Sequence, residues 1–156
     1  MELIRQFAPD TAVAALTDWL WLPGLVDLAP LAFSAFGDAF LYAPDGVWFL
    51  DTIEGTLTRE WNNPAEVQDA LNTLEGEDRF LLGGLVHAAA EAGIEPSESE
   101  VLAFKVAPIL GGAFEADNIA AYDFEVALSL AGQLHRQLKD LPPGTSISEF
   151  VFEPPE

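Results

Sequence analysis

Acidic residues outnumber basic ones by 26 to 6 in a 156-residue chain that is half hydrophobic, and the formal charge is -20. Charge and hydrophobicity pull in opposite directions. A highly charged chain of low hydrophobicity stays unfolded, because it cannot bury enough apolar surface to offset its conformational entropy. Four Trp and eleven Phe lift that limit here. The expected object is a folded core inside a negative surface. Such a surface repels nucleic acid and anionic membranes, which are bound through Lys and Arg, and it attracts a basic partner. Adaptation to high salt also produces acidic surfaces, so charge speaks to solubility and partners and not to fold.

The length suits a single compact domain over residues 1–156, large enough to remove about 70% of its unfolded surface from water. The chain has no cysteine, which excludes a disulfide framework and thiolate metal sites and fits a reducing compartment. The start, Met1 to Phe7, has acid and base close together and no apolar stretch of signal-peptide length. The most apolar stretch, 19–43, is interrupted by Pro23, Gly24, Asp27, Pro30, Gly37 and Asp38, so it reads as no membrane span. The expectation is a cytoplasmic protein.

Asp10 is placed as the N-cap of a helix running to Trp19, with Val13, Leu16 and Leu20 on one face. A Pro-punctuated loop follows. Residues 39–42 and 47–51, rich in aromatic and β-branched side chains, flank Pro44, Asp45 and Gly46 as a hairpin. Apolar residues at both parities predict a sheet covered on both faces. A turn at Glu54 and Gly55 adds a third strand to residue 60. Asn63 and Pro64 open a helix carrying Val67, Ala70, Leu71 and Leu74, and a second helix is expected over 78–92 with Gly93 at its C-cap. Strands are predicted over 101–107, near 119–122 and at 146–152, and a long C-terminal helix over 123–139 with Asp123 as its N-cap. The fold class is α+β: a mainly antiparallel sheet, formed by a meander over 39–60 plus the strand 101–107, packed with helices.

Few residues suggest chemistry. His87 and His135 stand in no metal spacing and read as structural or surface groups. Gly111 and Gly112 lack the Lys and Ser/Thr of a phosphate cradle, and one of them is expected at positive φ in a tight turn. Glu115, Asp117 and Asn118 are too short a run for a calcium loop. Neither cofactor nor metal is expected. Eight acids and one base, Lys105, fill residues 91–125. A charge run is ordinarily a solvated face, but this one also suits docking to a basic site.

Two stretches resemble a known family. Residues 30–42, Pro-Leu-Ala-Phe-Ser-Ala-Phe-Gly-Asp-Ala-Phe-Leu-Tyr, followed by 47–51 and Gly55, resemble the GAD-like half of bacterial type VI secretion immunity proteins. Residues 101–112, then Asn118, Ile119, Tyr122 and Asp123 and the helix reaching Leu134, resemble their C-terminal domain, typified by the immunity protein of an Agrobacterium DNase effector. The resemblance implies a GAD-like region over 1–75, an immunity-type region over 76–152, and cytoplasmic inhibition of a cognate toxin, a nuclease, by direct binding without catalysis. The acidity suits that role independently, because a nuclease must be basic where it holds phosphates.

The residues assigned to partner binding are Glu95, Glu98, Glu100, Glu115 and Asp117. The alternative is a small-molecule module with a pocket between sheet and helices, lined by Trp48, Phe49 and the Gly111–Gly112 turn. A hydrolase using buried Asp38 or Asp51 ranks last. Phe36, Phe40, Trp48, Phe49 and Phe104 are expected in the core.

Overall fold

The computed structural model describes residues 2–141 and Phe152, so the strand expected at 146–152 lies outside the described residues except for Phe152. In chain order the elements are β1 (Ile4–Arg5), α1 (Pro9–Ala15), β2 (Ala29–Ser34), β3 (Ala39–Ala43), β4 (Gly46–Asp51) and β5 (Thr56–Trp61). Then come α2 (Pro64–Leu71), the single turn α3 (Leu74–Gly76), α4 (Gly83–Glu91), β6 (Glu100–Phe104), β7 (Ile119–Asp123) and α5 (Phe124–Leu138). Strands β1 to β5 form an antiparallel meander in sequence order. The fold is α+β.

The expected hairpin is β3 and β4, with Phe40 opposite Phe49 and Leu41 opposite Trp48. Alternation sends the side chains of this pair to opposite faces. On one face Ala39, Leu41 and Leu50 join Trp19, Phe124 and Leu128. On the other, Phe40, Val47 and Phe49 pack with Trp61, Val67 and Phe80. Both faces are covered, as the apolar residues at both parities require. Phe36, Phe40 and Phe49 are core residues, whereas Trp48 and Phe104 are only half-buried. Trp48 keeps one ring face for the Arg59 guanidinium, 5.8 Å from its centroid.

Several expected elements are redrawn. Helix α1 begins at Pro9, its N-cap is Ala8 with no side-chain hydrogen bond, and Asp10 sits in the first turn. The buried face is Ala12, Ala15, Leu16 and Trp19, while Val13 and Leu20 point to solvent. Both stripes have helical spacing; the small alanines win because they let α1 approach α5 closely enough for the Trp19 indole Nε1 to donate to the Leu128 carbonyl at 2.9 Å. Leu74, beyond the end of α2, is 87% exposed. The expected helix 78–92 is broken at Leu82, which adopts φ 52° between a wide turn at 77–81 and α4. Gly83 follows as the buried first residue of α4, beside the Glu77 side chain.

Strand β6 does not join the main sheet. It pairs with β7 as a separate antiparallel ribbon, Glu100 opposite Asp123 and Phe104 opposite Ile119. Its link to the sheet edge is the Leu102 amide donating to the Ala35 carbonyl at 2.8 Å. Beyond Phe104 the Lys105 amide still donates to the Asn118 carbonyl at 2.7 Å, and the chain then binds the Asn118 side chain. Asn118 Oδ1 accepts from the Val106 amide at 2.9 Å, and Asn118 Nδ2 donates to the carbonyls of Val106 and Ala113. Within this clamped loop Gly111 has φ 96°, as expected for one glycine of the pair. Gly112 is constrained differently, since a Cβ would collide with the Val106 carbonyl. Gly112→Ala should therefore cost more than Gly111→Ala, about 2 kcal/mol or above against about 1 kcal/mol. Equal urea midpoints for the two variants would contradict this.

Candidate functional site

Helix α5 starts where the Asp123 carboxylate accepts from the Val126 amide at 3.1 Å, which satisfies one free N–H of the first turn. Phe124 and Leu128 hold one side of the helix in the core. A neighbouring side, with Ala127, Leu130, Ala131 and Leu134, faces an open cleft of about 480 Å³. The opposite wall is the ribbon and the loop after it, including Ala103, Phe104, Val106, Pro108 and Leu110. Phe36 and the turn residues Thr52 and Ile53 border it as well, as does Phe152. Val106, Leu110 and Leu130 stay exposed although their neighbours are apolar. Among the described residues the one ammonium lining the cleft is that of Lys105.

The expected pocket between sheet and helices thus exists in a different place. Phe49 is buried against Phe40 and Phe80 on the far face of the sheet, and Trp48 packs beside Leu50. Neither borders the cleft. The Gly111–Gly112 turn reaches it only through Leu110.

Behind Thr52 and His135 lies a buried polar chain. Asp38 Oδ1 accepts from the Thr52 amide at 2.8 Å and from its hydroxyl at 2.6 Å, and the Ser34 hydroxyl lies 3.3 Å from Oδ2. The Ser34 hydroxyl accepts from the amides of Phe36 and Asp38. Asp38 therefore ties the turn after β2 to the turn after β4. Burial, and then the charge of Asp51, push its carboxyl up to about 7. His135 Nε2 lies 3.0 Å from the Thr52 carbonyl, so that nitrogen carries the proton. Burial holds the imidazole below its ordinary pKa, against the pull of that hydrogen bond and of Asp51 and Glu54. Both groups are structural: they order the turn at 51–55. Asp51 Oδ1 accepts from the amides of Ile53 and Glu54 in the same turn. His87 is a surface residue with Glu91 3.2 Å away.

The five acids assigned to partner binding fall into two groups. Glu95, Glu98 and Glu100 precede or open β6, and Glu115 and Asp117 precede β7. Because Glu100 pairs with Asp123 and Phe104 with Ile119, the groups lie at opposite ends of the ribbon, roughly 14 Å apart along it. The first group is also not free of structural duty. The Glu100 carboxylate accepts from the Ser97 amide at 2.9 Å, which holds its pKa below the usual range. Arg5 donates to the carbonyls of Ser97, Glu98 and Glu100. At the other end Asn118 is committed to the loop clamp. Among the described residues no group of three or more His, Asp or Glu side chains gathers as a metal site. No helix among them is long and apolar enough to cross a membrane.

The cleft and the ribbon fall within one region of known kind. Residues 59–135 match the family model described as T6SS immunity protein Tdi1, C-terminal. The matched region is just under half of the chain. The Tdi1-type region contains β6, β7, α4 and most of α5, and with them every described residue bordering the cleft except Phe36, Thr52, Ile53 and Phe152. The fold is similar to the crystal structure of Atu4351 from Agrobacterium tumefaciens, with a TM-score of 0.59 and 18% identity over 84% of this chain and 66% of that one. At that identity the likeness is one of fold, and this chain spans about two thirds of the other's length. No curated protein gives a significant match.

Sequence reasoning missed the cleft. Its signal was the set of apolar residues with no periodic partner, Val106, Leu110 and Leu130, but only folding brings them together.

Proposed function

We propose that this protein is the cytoplasmic antidote to a secreted effector with a basic, nucleic-acid-cleaving domain, and that it acts by occlusion without chemistry of its own. The observation that carries this reading is the Tdi1-type region over residues 59–135. The charge of -20 supports the basic partner, since an enzyme that grips phosphates presents Lys and Arg where a negative protein can lie. The GAD-like region over 1–75 and the immunity-type region over 76–152 then act as one domain. Hydrogen bonds from the indoles of Trp19 and Trp21 to the carbonyls of Leu128 and Gly132 support that unity.

Co-expression with the product of the neighbouring gene tests the reading, and a stable complex that suppresses nuclease activity is the expected result. Absence of binding by the wild type removes the reading for that effector. Because the acids lie at two ends of the ribbon, the docking end can be found by separate reversals. Glu95→Lys with Glu98→Lys, and Glu115→Lys with Asp117→Lys, leave the Glu100 hydrogen bond intact. Reversal at the docking end should slow association about tenfold at low salt, and the difference should shrink at physiological salt, where the Debye length is about 8 Å. Unchanged on-rates for both pairs exclude all four acids from steering.

A further inference from the structure

We infer that a second groove, beside α4, seats a lysine or arginine side chain of the effector, with its stem on apolar walls and its charge against Asp78 and Glu115. The inference deepens the proposed function and rests on it. The groove is open, about 490 Å³, and lies between α4 and the loop that precedes β7. Leu82, Gly84 and Leu85 line one side and Phe114 the other, and Asp78 and Glu115 border it. Among the described residues lining it there is no Lys, Arg or His. Of the two ends of the ribbon, this is the end that carries Glu115.

Three features of the groove have no use inside the chain. Gly84 stands in the first turn of α4, where a Cβ would meet nothing within 4 Å. Glycine is unfavourable against alanine in a helix, so its bareness leaves room for a group from outside. Phe114 is 53% exposed, held edge-on by Phe104 at 5.4 Å, and much of its ring is open to an alkyl stem or a cation. The carboxylates of Asp78 and Glu115 have no hydrogen bond or ion pair among the described residues. Arg79, next in sequence to Asp78, is engaged elsewhere, over the Phe80 ring at 4.7 Å and 3.4 Å from Glu60. The positive end of the α4 dipole, about half a charge, is outweighed by the two carboxylates. A long side chain that is apolar along its length and positive at its tip satisfies all three features. A fatty acid or a phosphate would bring negative charge to these acids. A second copy of this chain offers only six basic residues among 26 acidic ones.

Gly84→Gln tests the groove without altering charge. The position is open and glutamine favours a helix over glycine, so the urea midpoint should equal or exceed that of the wild type. Binding to the neighbouring-gene effector should weaken about tenfold or more, mainly through faster dissociation, because a seated anchor is displaced. Asp78→Asn combined with Glu115→Gln tests the charge of the occupant while keeping the shape of the groove. This pair should also weaken binding, by an amount that shrinks as salt rises. Unchanged affinity of the folded Gly84→Gln variant overturns the groove while leaving the immunity reading intact. Unchanged affinity of the amide pair at low salt overturns the basic occupant, whatever Gly84→Gln does. Self-association of the wild type that Gly84→Gln abolishes makes the groove a contact between copies and overturns the proposal as well. Failure of the wild type to bind withdraws both readings for that effector.

Discussion

Trp19→Ala should destabilise the protein by about 3–5 kcal/mol. Trp19 is fully buried although it stands at the end of a short helical turn, and it is the point where the N-terminal segment meets α5. Its indole Nε1 donates to the Leu128 carbonyl, and its ring lies 5.9 Å from Trp21 and 5.6 Å from His135. Its small neighbours Ala12 and Ala15 cannot expand to fill the space, so the truncation leaves a cavity as well as losing transfer energy. Trp19→Phe should cost clearly less, because it keeps most of the volume. Urea unfolding of both variants checks this; a loss below about 1 kcal/mol for alanine would falsify the central role given to this side chain.

Asp38→Asn should make the protein more stable at pH 8, an unusual result for a buried acid whose carboxylate accepts three hydrogen bonds. The ordinary carboxyl value is 3.8, and the folded state raises it to about 7. Below pH 4 both states hold the proton and nothing is gained or lost. Between these values the unfolded chain ionises and the folded one resists, so this group lowers stability as pH rises and levels off above 7, by up to about 4 kcal/mol. His135 has the opposite sign. Its folded pKa lies below 6.5, so it lowers stability as pH falls through that range. The two partly cancel in the wild type. Asparagine keeps an acceptor for Thr52 and removes the carboxyl contribution, which leaves stability that falls with acid alone. Repulsion among the remaining acids is nearly the same in both proteins and drops out of the difference. Unfolding midpoints at pH 4.5 and pH 8 decide it: an asparagine variant no more stable than wild type at pH 8 contradicts the argument.

The hairpin could be read from sequence because each of its strands is dense in aromatic and β-branched residues and its turn residues are Pro, Asp and Gly. The caps of α2 and α5 were legible for a similar local reason: Asn63 accepts from the Glu66 amide and Asp123 from the Val126 amide. Strand β2 was not legible, since Pro30 lies in it and the register shifts between Pro30 and Ala32. Pairing with β3 and β1 on either side overrides the proline. The buried face of α1 was misplaced because alanine carries little weight in a hydrophobic pattern, yet closeness of approach depends on it. The five acids looked like one cluster because they are near in sequence, and an antiparallel ribbon sends the two ends of such a run apart. The cleft draws on α5, the ribbon, its following loop and the turn after β4, and no periodicity spans such a set.

A two-stranded ribbon is marginal by itself, and β6–β7 borrows its order from outside. It leans on the Leu102 amide bound to the Ala35 carbonyl, the Phe124 amide bound to the Ser99 carbonyl, the Arg5 guanidinium on the chain just before β6, and packing with side chains of α4 and α5. Such an element opens locally at a cost well below that of global unfolding. Its backbone amides should therefore exchange with deuterium sooner than those of β3 and β4. Whatever fills the space between ribbon and helix will slow that exchange along the whole ribbon, including residues it never touches. Occupancy of the cleft is thus written into the exchange rates of a strand pair that already stands at the edge of stability.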